Sequence, residues 1–124
     1  MTKDFSELFS HSLAVREPWH IADYGFHVDE RAVHVHVKAE EGAQHACPLC
    51  GAPCERHDLE ENERKWRHGD VAYYPCYVHC RRPRVHCPEH GVRTVRVPWA
   101  REKSRFTALF EAHTSLLLSG MPAL

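Results

Sequence analysis

Two short ligand pairs, each followed by glycine, constrain this chain more than any other feature. The first is Cys47-Pro48-Leu49-Cys50-Gly51 and the second is Cys87-Pro88-Glu89-His90-Gly91. A pair at this spacing turns two side chains toward one point, and the glycine permits the tight turn that aims them. Together the pairs supply four N/S ligands, the complement of a tetrahedral zinc ion. The reading is one closed, structural Zn2+ site made by Cys47, Cys50, Cys87 and His90. A closed site has no open position for a reacting water, so this metal is expected to hold the fold and not to catalyse.

Other readings of the cysteines are weaker. Cys47 and Cys50 have the spacing of a redox dithiol, but such motifs sit near a βαβ pattern, and none surrounds Cys47. A second knuckle downstream has no place in redox chemistry. A secreted disulfide framework is disfavoured because no secretory leader precedes the cysteines. The 36 residues from Gly51 to His86 exceed the usual gap of about 12–20, so the insert is expected to form an arm of its own. Cys54, Cys76 and Cys80, with His57, His79 and His86, are further candidate ligands. Cys76 and Cys80 lie in a strand-like run and are expected to share one face as small buried apolar residues. Most of the 12 histidines are read as surface or core residues.

A chain of 124 residues suits one domain, or a small domain plus part of another, and a modest core fits the use of a metal staple. The net charge of −1 conceals an asymmetry. Residues 1–63 carry 5 Lys/Arg against 13 Asp/Glu, and residues 64–105 carry 11 against 3. A basic middle in a near-neutral chain points to an anionic partner, most commonly nucleic acid. No apolar run is long enough to cross a membrane, and a reducing cytoplasm is the expected setting.

Taken in order, residues 4–13 read as a short amphipathic helix with Phe5, Leu8, Phe9 and Leu13 on one face, Asp4 and Glu7 forming a capping box, and Pro18 as a stop. Residues 19–39 alternate as a β-hairpin with one dry face. His34 and His36 hint at a second metal site, but they are read as the wet face of a strand. Residues 55–63 are expected to form a solvated acidic loop. Arg64, Lys65, Trp66 and Arg67 combine cations with an aromatic ring, a mixture suited to phosphate contact and stacking. Burial of Trp66 in a small core is the equal alternative. Residues 71–82 read as a strand, at an edge because of Pro75. Arg81, Arg82 and Arg84 lead into the second knuckle as a phosphate-binding edge. Residues 92–99 read as a further strand with Val95, Val97 and Trp99 on one face. A linker follows, with Ser104 or Thr107 capping a helix whose face holds Phe106, Leu109, Phe110, His113, Leu116 and Leu117. Gly120 and Pro122 stop that helix, which either opens a helix-turn-helix or packs back on the zinc domain.

The order of Trp19, the CPLCG knuckle, Trp66-Arg67-His68, the run Cys80-Arg81-Arg82-Pro83-Arg84-Val85 into the second knuckle, Val97-Pro98-Trp99-Ala100 and Phe106-Thr107 resembles one family throughout. It is similar to the N-terminal zinc-binding region of bacterial insertion-sequence transposases of the ISL-three family. The resemblance implies that Cys47, Cys50, Cys87 and His90 are the zinc ligands, with His90 standing where members commonly have cysteine. It implies recognition of the terminal inverted repeats of a mobile element, with a full-length transposase or a second copy as further partners. It also implies that a helix-turn-helix and a DDE-type catalytic domain would follow, so the chain reads as a truncated, non-enzymatic fragment. The rival readings are a zinc-dependent protein-interaction module for transposase assembly and a non-functional transposase remnant. The expected fold class is α+β: a small zinc-ribbon-like domain with β-hairpins, a short N-terminal helix and a C-terminal helix. The expected division is 1–46 for helix and hairpin, 47–100 for the zinc domain with its basic arm, and 101–124 for the last helix.

Overall fold

The structure, a computed structural model, describes residues 5–119. Helix α1 (Phe5–Ser12) precedes the antiparallel hairpin β1 (Trp19–His27) and β2 (Ala32–Ala39). Next come β3 (Gln44–Ala46), β4 (Pro53–Leu59), β5 (Arg64–Val71) and β6 (Tyr74–Cys80). Strands β7 (Pro83–Cys87) and β8 (Gly91–Thr94) close the second knuckle, and α2 (Ala108–Ser119) ends the described chain. The strands form two four-stranded sheets, ordered β1-β2-β6-β5 and β3-β4-β7-β8, so the protein is a small α+β fold.

The insert between the knuckles is not a separate arm. Its β4 stays in the ribbon sheet, while β5 and β6 cross to the first sheet, where β6 pairs in parallel with β2. Residues expected in segments 1–46 and 47–100 therefore share one sheet. Strand β6 is central, and Pro75 is no edge marker: it falls in the irregularity between the Tyr74–Val71 and Cys76–His68 pairs, where the ladder requires no N–H from it. Of the loop expected over 55–63 only residues 60–63 are outside a strand; β4 pairs with β7, and its Asp58 meets Arg84 there. The strand expected over 92–99 stops at Thr94; Val95 and Trp99 are still buried, Val97 only in part. Of the apolar face expected on α1, Phe9 and Leu13 are buried while Phe5 and Leu8 remain exposed. The expected cap residue Asp4 and the stops Gly120 and Pro122 lie outside the described residues.

One apolar cluster spans both sheets. Val33, Val35 and Val37 of β2 and Cys76, Val78 and Cys80 of β6 supply one wall, by strict alternation along each strand. Cys47, Cys54, Val85 and Cys87 supply the ribbon side. Three tryptophans link the two. Trp99 lies edge-on to Trp19 and to Trp66, with ring centroids 5.3 Å apart in each case. Trp66 is only 2% exposed, so the core reading holds for it and stacking on a base does not. Cys76 and Cys80 are likewise core residues. Burial raises their thiols to about 11 and about 12, which keeps them protonated and inert.

His68 ties the helices to the first sheet. Its Nδ1 lies 2.7 Å from Thr107 Oγ1 and its Nε2 lies 3.1 Å from Ser12 Oγ. Thr107 Oγ1 accepts the Phe110 N–H at 3.3 Å, so Thr107 is the N-cap of α2. The Arg67 N–H donates to Arg105 O, and the Thr107 N–H to Arg67 O, which docks residues 105–107 on the free edge of β5. Burial lowers the His68 imidazole to about 4, below its ordinary 6.5. The unfolded chain therefore takes up this proton first. The stabilisation is complete above pH 6.5 and is lost as pH falls toward 4. By pH 5 His68 should cost the fold about 2 kcal/mol relative to pH 7. Thermal unfolding measured from pH 7 to pH 5 should show a steeper loss in the wild type than in His68→Gln; equal slopes would contradict this role.

Candidate metal centre and basic cleft

Each knuckle is the turn of a hairpin. Strands β3 and β4 bracket Cys47 to Gly51, and β7 and β8 bracket Cys87 to Gly91. In the first turn Gly51 N–H donates to Cys47 O at 2.8 Å, and Cys47 N–H to Ala52 O at 2.9 Å. Gly51 and Gly91 have φ of +77° and +73°, conformations that L side chains rarely adopt, which explains glycine after each pair.

The β4–β7 pairing brings the two turns face to face. The ligand atoms of Cys47, Cys50, Cys87 and His90 all lie within 4.8 Å of one another. Cys50 Sγ is 3.7 Å from Cys87 Sγ, and His90 Nδ1 is 3.5 Å from Cys87 Sγ and 3.8 Å from Cys47 Sγ. A tetrahedron with metal–sulfur bonds of about 2.3 Å has edges of about 3.8 Å, slightly shorter where nitrogen replaces sulfur. The donor set therefore fits zinc in both chemistry and spacing, while sulfurs 3.7 Å apart are not a disulfide.

The backbone also favours the metal-binding protonation state. The Glu89 amide, together with His90, draws Cys87 down to about 6. Burial opposes ionisation of Cys47, but the amides of Cys50 and Leu49 outweigh it and its thiol is lowered. Cys50 is raised despite the Ala52 amide, because burial and the neighbouring sulfurs favour its neutral form. His90 is raised by its contact with Cys87. Clustered thiolates facing an imidazole repel one another until a cation joins them. Cys54 is buried beside this group, with its S–H donating to Ala52 O at 3.3 Å.

The arginines expected at the nucleic-acid surface are not equally free. Arg82 Nε lies 2.7 Å from Glu60 Oε2, which also accepts the Arg82 N–H at 2.6 Å. Arg84 makes a fork-like pair with Asp58, which holds that carboxyl below the usual range. Arg81 donates to Glu60 O at 3.0 Å, and Arg67 pairs with Asp70. Part of the acidic-to-basic asymmetry is thus consumed by β4 and β7 pairing with each other. Lys65 and Arg67 lie over the Tyr77 ring on the outer face of the first sheet. Arg64 lies over Trp66 and donates to Ser104 O at 2.8 Å. Arg64 and Arg82 nonetheless line a cleft of about 260 Å³ together with Arg96, Arg101 and Lys103, where Glu102 is the one lining carboxylate. Sequence reasoning missed Arg96, Arg101 and Lys103, because their convergence depends on the turn that follows β8.

The comparisons with known proteins agree with this geometry. The family described as the zinc-finger of transposase IS204/IS1001/IS1096/IS1165 matches residues 43–90, which contain all four clustered ligands. The chain is 31% identical over 108 residues to "Transposase for insertion sequence element IS1557" of Mycobacterium tuberculosis, in strains CDC 1551 / Oshkosh and ATCC 25618 / H37Rv. That match covers 84% of this chain and 24% of the relative, so the chain spans about a quarter of the length of the curated relatives it matches. No solved structure gives a significant match. Over residues 43–90 the chain is similar to the zinc finger of IS204/IS1001/IS1096/IS1165 transposases, the insertion-sequence group that the order of motifs resembles.

Proposed function

We propose that this chain is a zinc-stabilised, DNA-binding segment of a transposase that recognises the ends of a mobile element. The observation that carries the proposal is the zinc-finger match over residues 43–90 with its four ligand atoms gathered at one point. One structural Zn2+ held by Cys47, Cys50, Cys87 and His90 would fix both knuckles. The cleft edged by Arg64, Arg96, Arg101 and Lys103 then offers a place for a phosphate backbone. Lys65 and Arg81 add cations nearby in sequence, whereas Arg67, Arg82 and Arg84 are paired with Asp70, Glu60 and Asp58, and in the cleft Arg96 faces Glu102 and Arg101 faces Glu111. Catalysis is not assigned to this segment; Asp58 and Glu60, the carboxylates beside the arginine run, are paired with Arg84 and Arg82. The reducing cytoplasm is its expected setting.

Binding to a duplex carrying the element's inverted repeat, against a scrambled duplex over a salt series, tests this. The double substitution Arg96→Glu, Lys103→Glu should weaken binding by about tenfold or more and flatten the log–log salt slope by about 2. An unchanged slope would remove the cleft from the interface, and no preference for the repeat would remove end recognition.

A role in subunit assembly is the second reading. It is favoured by α2, which leaves Leu109 and Leu116, and Phe106 just ahead of it, exposed to solvent. Sedimentation over a concentration series separates the two: a monomer that binds DNA supports the first reading, and self-association lost in Leu109→Glu supports the second.

A further inference from the structure

A second group of ligand atoms lies at the far end of the first hairpin. His27 ends β1, Glu30 lies in the turn, and His34 is on β2. Their ligand atoms are within 4.8 Å of one another. Glu30 Oε2 is 3.0 Å from His27 Nδ1 and 3.0 Å from His34 Nε2. Bonds of about 2.0–2.2 Å from nitrogen or oxygen to a shared ion give ligand separations of about 3–3.5 Å. The outer face of β2 was expected to be wet, yet His34 is buried. Tyr77 stacks against it, and His79 Nε2 lies 2.7 Å from its Nδ1.

The proton count in this chain of contacts is informative. His79 Nδ1 lies 3.0 Å from Glu63 Oε1 and donates to it. As a neutral ring, His79 then presents a lone pair at Nε2, and His34 must donate from Nδ1 to meet it. That choice leaves His34 Nε2 as a lone pair facing a carboxylate oxygen. Two acceptors at that distance repel unless a cation lies with them. The order His34, His79, Glu63 is also the outer arrangement that orients a metal-bound imidazole, with the ring N–H that faces away from the ion held by an acceptor.

We propose that His27, Glu30 and His34 form a second metal site, open on its solvent side, for a divalent first-row transition ion such as Zn2+. It is distinct from the Cys47–His90 centre and does not depend on the DNA-binding reading. Two imidazoles and a carboxylate suit zinc, copper or nickel in preference to calcium or magnesium. The exposure of His27 and Glu30 leaves room for a water or a partner's ligand at the remaining position.

Calorimetric titration of Zn2+ into protein already holding one equivalent tests the site. The wild type should bind a further equivalent at neutral pH, and His27→Ala or Glu30→Gln should weaken it at least tenfold. Both side chains are more than half exposed, so thermal unfolding of the one-equivalent protein should be unchanged in either variant. Absence of a second equivalent would overturn the proposal and assign the gap between His34 and Glu30 to a proton. Equal binding by the His27→Ala, Glu30→Gln double variant would overturn it as well, by placing the ion elsewhere.

Discussion

Cys87→Ser is expected to abolish the cooperative thermal transition, or to lower its midpoint by more than about 20 °C, and to make the protein indifferent to chelators. Structural zinc contributes about 10–16 kcal/mol in small domains, as much as the whole net stability of about 5–15 kcal/mol for an ordinary fold. Cys87 is the natural place to test this, because it is 1% exposed, ends β7, and touches both Cys50 and His90. Without the ion the two hairpin turns crowd three sulfurs and an imidazole together, with only the backbone amides and the His90–Cys87 contact against the mutual repulsion of the sulfurs. Cys76→Ala is the matched control. It removes an equally buried sulfur from the first sheet and should cost only about 1–2 kcal/mol of packing. Circular dichroism melts with and without chelator measure both. A Cys87→Ser protein that melts like the control would mean that packing alone holds the ribbon.

Trp66→Ala should destabilise the protein by about 3–5 kcal/mol, or about 10–20 °C in melting temperature for a domain of this size. Its ring is buried against Trp99, which in turn meets Trp19, so one truncation opens the junction between the two sheets. Trp66→Phe keeps part of the contact and should cost less. If Trp66 served DNA by stacking, its loss would weaken binding without moving the melting temperature. The buried position predicts the reverse, with binding by the Phe variant near normal whenever it is folded. A melting temperature unchanged in Trp66→Ala would contradict the core assignment.

The zinc knuckles were legible from sequence because their chemistry is local: spacing, ligand type and a following glycine are all within five residues. The strands of β2 and β6 were legible from alternation. What the sequence concealed is long-range pairing. The acidic run before Arg64 looked like a loop because its partners, Arg82 and Arg84, lie more than twenty residues away. The same pairing removed two arginines from the expected anionic surface. The Trp66-Arg67-His68 triplet was notable as a motif, and each of its members has a structural role. Trp66 fills the core, the Arg67 backbone docks the segment before α2, and His68 joins Ser12 to Thr107. His34 looked wet because β2 was read as one strand of an isolated hairpin, and burial came from Tyr77 and His79 on the neighbouring strand.

X-ray absorption at the zinc edge tests the metal centre most directly. It is best done on protein carrying His27→Ala and Glu30→Gln, so that a second ion does not contribute. The account predicts one tightly held zinc with three sulfurs at about 2.3 Å and one nitrogen at about 2.0 Å. Four sulfurs would mean that Cys54 has displaced His90, and a shell dominated by nitrogen and oxygen would mean that the knuckles do not form the site.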